Sequence, residues 1–78
     1  MREKKLWLII TFHTTTAAMA MESLCTEKGL PGRLIPIPRE ITAGCGMSWR
    51  APVESKAELI EAAEQAGIAA DGVYEIVI

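Results

Sequence analysis

Apolar side chains occupy both alternating positions of Lys5-Leu6-Trp7-Leu8-Ile9-Ile10-Thr11-Phe12, and a β-branched, aromatic run of that kind predicts a central strand buried on both faces. The period then changes. Three threonines, Thr14 to Thr16, supply N-cap oxygens, and Ala17, Met21, Leu24, Cys25 and Lys28 follow at three- and four-residue spacings up to Gly29, which predicts a helix over about residues 15–28. Cys25 falls on its apolar stripe and reads as a small buried hydrophobe; Met19 and Met21 read as core for the same reason. Leu30-Pro31-Gly32 makes a turn into Arg33–Pro38, an extended segment in which Pro36 and Pro38 lack an N–H, so it belongs at a sheet edge or pairs on only one of its sides. Met47-Ser48-Trp49-Arg50 alternates apolar with polar and predicts a half-exposed strand ended by Pro52.

A second helix is signalled by Ser55 and Glu58 at capping-box spacing, with Leu59, Ile60, Ala63 and Ala66 as its buried stripe and Gly67 as its stop. Asp71-Gly72 predicts a turn into a last strand, Val73–Ile78. The order strand, helix, strand, strand, helix, strand is that of the ferredoxin-like α+β fold, βαββαβ, a four-stranded antiparallel sheet with two helices on one face. The other face, with Trp7 or Leu8 and Trp49 as candidates to line it, is then open to a subunit or partner.

With 78 residues the chain reads as one domain, 1–78, near the lower size limit for a single unstapled core. Half of its residues are hydrophobic, a high share for so small a surface, which raises the expectation of a homo-oligomer. A net charge of −2 from 8 basic and 10 acidic residues favours neither nucleic acid nor an anionic membrane as partner. The apolar run Leu6–Ile10 is too short for a membrane span and lacks a clean cleavage site behind it, so the reading is a cytoplasmic protein with reduced thiols at Cys25 and Cys45.

The candidate chemistry lies in Gly44-Cys45-Gly46. Glycine at both sides lets the backbone take φ > 0 and approach a partner closely, which would present the sulfur. The structural alternative is a tight turn with Cys45 filling a gap beneath it.

Around this stretch, Phe12, Ala18, Met21-Glu22, Leu24 and Gly29, then Arg33-Leu34-Ile35-Pro36-Ile37-Pro38-Arg39-Glu40-Ile41 and Gly44-Cys45-Gly46-Met47 resemble the small domain family described as putative Se/S carrier protein-like. The resemblance covers roughly the first two thirds of the chain and is specific around Pro38-Arg39 and Gly44-Cys45-Gly46. It implies a sulfur or selenium relay at Cys45, with donor and acceptor proteins as partners, and a carrier or sulfurtransferase accessory more than a stand-alone enzyme. A carrier needs a thiolate, because the thiolate attacks a donor persulfide. Arg39, and less directly Arg50, would favour the thiolate by nearby positive charge; Thr42 and Ser48 are near enough in sequence to donate to the sulfur; amides around Gly44 and Gly46 would form an anion-binding nest. Against this, Arg39 can simply pair with Glu40 on the surface, worth under about 1 kcal/mol.

His13, the single histidine, stands where the first strand meets the first helix, as a base for the thiol or an exposed cap residue. One histidine and two cysteines in unlike contexts do not make a metal set, and no phosphate loop is present, so no cofactor or metal is expected. The alternative function is a non-enzymatic interaction or dimerisation module, docking through the open sheet face and Trp49, in which the cysteine is structural. A redox switch through Cys25 and Cys45 is weaker because Cys25 reads as buried.

Overall fold

The computed structural model describes residues 4–41 and 45–78. Its elements run β1 (Leu6–Phe12), α1 (Thr15–Lys28), β2 (Arg33–Pro36), β3 (Met47–Pro52), a 3₁₀ turn (Val53–Ser55), α2 (Lys56–Gln65) and β4 (Ala70–Val77). The sheet order is β2-β3-β1-β4 with every pair antiparallel, the ferredoxin-like α+β arrangement. β2 lies at an edge, in keeping with Pro36 at its end; it is shorter than the predicted segment, for it stops at Pro36 and Pro38 falls beyond it.

Register sorts the side chains into two faces. On one, Leu8, Ile10 and Phe12 of β1 and Trp49 and Ala51 of β3 join Ala18, Met21 and Cys25 of α1 and Leu59 and Ala63 of α2 in a single buried cluster. Burying a leucine or phenylalanine there contributes roughly 1.5–3 kcal/mol each. The opposite face carries Trp7 beside Pro52, Ile9 beside Arg50 and Thr11 beside Ser48 from β1 and β3, with Tyr74 and Ile76 from β4. Ile9, Thr11 and Ser48 are nonetheless fully buried. Arg50 lies over the Trp7 ring at 4.3 Å and Lys5 at 4.7 Å, two cation–π contacts on one indole.

Several expectations are corrected. Trp49 is 2 % exposed on the helix side, where its indole N–H donates to the Pro31 carbonyl at 3.2 Å, and Leu8 joins it there; neither belongs to the open face. β3 is accordingly not half-exposed: Ser48, Trp49 and Ala51 are all buried. Met19 is 58 % exposed, since the stripe of α1 runs through Ala18, Met21 and Cys25, and Lys28 faces solvent. In α2 the buried residues are Leu59, Ala62 and Ala63 while Ala66 is exposed. The capping box does not form: Ser55 makes no side-chain cap bond, because the 3₁₀ turn already delivers the chain into α2. Asp71 and Gly72 lie inside β4, next to a register shift opposite Thr11 and Phe12. A bulge at that point replaces the expected turn.

α1 begins as the threonines predict. Thr14 is extended and its hydroxyl accepts the Ala17 N–H at 3.1 Å. Among the described residues, no helix is long and apolar enough to cross a membrane.

Candidate functional site at Cys45

The segment between β2 and β3 is closed at its base by backbone. The Ile37 N–H donates to the Gly46 carbonyl at 2.9 Å, extending the ladder one pair beyond Pro36 and Met47. Past Ile37, the Ile41 N–H donates to the Pro38 carbonyl at 2.9 Å, which makes Pro38-Arg39-Glu40-Ile41 a β-turn. Ile41 is buried and anchors that turn, while Arg39 and Glu40 stand exposed at its apex. Pro38 fixes the approach because its φ is locked.

Cys45 returns at the foot of β3. Its N–H donates to the Phe12 carbonyl at 2.9 Å, and Gly46 next to it has φ 96°, a left-handed backbone that glycine adopts without strain. The cysteine is thus held on both sides by main-chain bonds, and its thiol donates a long contact to the Met47 carbonyl at 3.8 Å. The side chain is half-buried against the helix-side cluster. Where the two glycines suggested a sulfur standing clear of the protein, the structure has it seated against the core with part of its surface open, because Cys45 shares the helix-facing side with Met47 and Trp49.

The other named residues divide by face. Ser48 is buried on the opposite side of the sheet and its hydroxyl donates to the Ile35 carbonyl at 3.4 Å, so its donor is already committed. Arg50 is five residues along β3, roughly 16 Å at strand spacing, and stacks on Trp7; the 4–6 Å range over which a charge acts strongly on a thiol is far shorter. Thr42 and Gly44 lie outside the described residues. Of the supporting set, the structure therefore keeps Gly46 beside Cys45, places Arg39 on the turn of the same connection, and does not bring Ser48 or Arg50 to the sulfur.

His13 follows Phe12, whose carbonyl anchors Cys45, so the cysteine and the β1–α1 junction share one end of the sheet. The imidazole turns toward β4: its Nδ1 is 3.2 Å from Asp71 Oδ1, and Asp71 Oδ2 accepts from the Thr11 hydroxyl at 3.5 Å. His13 lines an open groove with Thr14, Thr16 and the turn after α2, residues 66–69, whereas Cys45 bonds from the β3 side of β1. The N-cap is Thr14, leaving His13 just outside the helix. Reading Asp71-Gly72 as a turn concealed this pair; no spacing in the sequence links residue 13 to residue 71. Among the described residues no group of three histidine, cysteine or acidic side chains converges as a metal site.

The second cysteine is a separate case. Cys25 is 1 % exposed within the core, and burial pushes its thiol pKa up from the ordinary 9.0 because the anion would be desolvated. It behaves as packing.

A family model described as "Putative Se/S carrier protein-like" matches residues 8–75. The chain belongs to that family. The match runs past the first two thirds, where the recognisable motifs lie, through α2 and into β4, so the Se/S carrier-like domain includes the strand that holds Asp71. No curated protein and no solved structure matches the chain.

Proposed function

We propose that this Se/S carrier-like domain holds sulfur or selenium on Cys45 as a persulfide or perselenide and passes it from a donor protein to an acceptor. The observation that carries the reading is the contrast between two cysteines: Cys25 sealed in the core with a raised pKa, Cys45 partly open, its backbone fixed by Phe12 and Gly46. In the loading step the Cys45 thiolate attacks the terminal sulfane sulfur of a donor persulfide. One S–S bond forms on Cys45 as the donor's S–S bond breaks; the donor cysteine leaves as the thiolate, and no external oxidant is needed. Unloading is the reverse exchange onto an acceptor thiolate.

Two features support an anionic cargo at this place. α1 starts three residues after Phe12, so its N-terminal N–H groups and the positive end of its dipole lie at the sheet end where Cys45 is tied. Arg39 is exposed on the turn of the same connection, suited to meet a donor or acceptor surface before exchange. In this proposal the amides around Gly44-Cys45-Gly46 form the anion nest and Thr42 donates to the sulfur. The alternative module that docks through Trp49 loses its anchor, since that indole is core.

The test is loading with a sulfane donor followed by mass spectrometry and transfer to a thiol acceptor. Wild type and Cys25→Ala are expected to gain one transferable sulfur atom, and Cys45→Ser none. Transferable sulfane sulfur on Cys45→Ser would overturn the proposal.

A further inference from the structure

The two edges of the sheet are treated differently. β2 is four residues long and carries Pro36, both devices that blunt an edge against pairing. β4 spans eight residues without proline. Lys5 and Ile78 exchange both backbone bonds, at 3.2 and 3.0 Å. The alternation of an antiparallel ladder therefore turns the N–H and C=O of Ile76, Tyr74 and Gly72 toward β1 and those of Val73, Glu75 and Val77 outward. Of the five large hydrophobics exposed in the described residues, Val73, Tyr74 and Val77 lie on β4 and Leu6 is paired with its end. The only charge between them is Glu75, whose carboxylate lies 3.2 Å from the Lys56 ammonium in an exposed ion pair.

We propose that β4 pairs antiparallel with β4 of a second copy of this chain, joining two four-stranded sheets into one. The strand's own charges select the register. With Tyr74 opposite the partner's Tyr74, Val73 faces the partner's Glu75 and the strand overlaps from Gly72 to Ile76, up to the bulge at Asp71. A shift of two residues one way sets Glu75 against the partner's Glu75, placing like charges opposite each other, and the other way runs the pairing into the bulge at Asp71, whose carboxylate turns to Thr11 and His13, leaving only Gly72 to Tyr74 to pair. The Tyr74-centred register alone combines long overlap with no like-charge pair. It also covers Val73 and Val77 on the helix side and pairs two aromatic rings on the other, leaving Cys45 at the β3 side of each subunit untouched.

Sedimentation equilibrium of the full chain, with circular dichroism to verify folding, tests the surface, and two variants test the register. Wild type is expected to be dimeric at micromolar concentration. Val73→Glu, which sets two carboxylates opposite across each pair, is expected to weaken the dimer at least tenfold, and Val73→Lys, opposite the partner's Glu75, to retain it. Tyr74→Cys is expected to form a disulfide at position 74 between subunits, because non-hydrogen-bonded partners have Cα atoms about 4.5 Å apart. A monomeric wild type, or a dimer equally strong in the glutamate and lysine variants, would overturn the proposal. Sulfur loading of Cys45 is scored separately and does not depend on either result.

Discussion

Gly32→Ala isolates how the turn before β2 holds the centre of the fold. Gly32 has φ 122°, and a Cβ there would stand 2.3 Å from the Trp49 indole nitrogen and 2.6 Å from the Arg50 carbonyl oxygen. The carbonyl has little room to retreat, since Arg50 is paired with both Ile9 and Arg33. The indole cannot move without leaving Pro31, its hydrogen-bond partner. Backbone strain of about 1–3 kcal/mol adds to about 1–3 kcal/mol for a buried N–H left unpaired, so a loss of about 2–6 kcal/mol is expected. A chain of 78 residues has roughly 4–12 kcal/mol in all. Gly29→Ala and Gly67→Ala are the controls: φ is 67° and 74° with nothing within 4 Å of the added methyl, so each should lose only about 1–2 kcal/mol. Urea unfolding followed by tryptophan fluorescence, with far-UV circular dichroism as a second probe, measures all three. If Gly32→Ala falls within about 1 kcal/mol of the controls, Trp49 is not clamped by this turn and the reasoning fails.

Thr14→Ala should cost about 1 kcal/mol because its hydroxyl accepts the Ala17 N–H, whereas Ser55→Ala should be nearly neutral for want of a side-chain bond; equal losses in urea titrations would contradict the two cap geometries. Burial raises the Cys25 pKa in the folded state, so the unfolded chain releases that proton first. The Cys25 contribution is then full below about pH 9.0 and declines as pH rises toward the folded value. Stability measured from pH 8 to 10.5 should fall more steeply in wild type than in Cys25→Ala, and parallel curves would refute it. In native protein at neutral pH, iodoacetamide should modify Cys45 at least a hundredfold faster than Cys25, whose 1 % exposure requires opening of the core; comparable rates by peptide mass spectrometry would remove the contrast on which the carrier reading rests. Gly72→Ala should be tolerated with a loss under about 1.5 kcal/mol, because the atoms 2.8 Å from its added methyl belong to the Tyr74 ring, which is 37 % exposed and free to swing aside.

The sequence by itself determined the order of elements, the start of α1 at the threonines, the edge position of the proline-bearing β2 and the burial of Cys25. Each follows from local chemistry: a hydrophobic period, a cap oxygen, a missing N–H, a stripe position. It also carried the motifs around Cys45 by which the family is recognisable. Only the tertiary structure decided which face of β3 the helices cover. Met47-Ser48-Trp49-Arg50 alternates equally well either way up, and the choice fell with Trp49 inward because the clustered side chains of α1 and α2 and the Pro31 carbonyl receive both its ring and its N–H. That choice sent Ser48 and Arg50 to the far side, away from the cysteine. The same holds for Asp71: the dipeptide Asp71-Gly72 has the chemistry of a turn, but pairing with β1 draws it into β4, where a bulge and a close Tyr74 ring accommodate it. The clamp on Cys45 is the furthest from sequence, for it is made of backbone groups of Phe12, Ile37 and Gly46. Main-chain N–H and C=O are alike in every residue, so only the assembled sheet brings those three together.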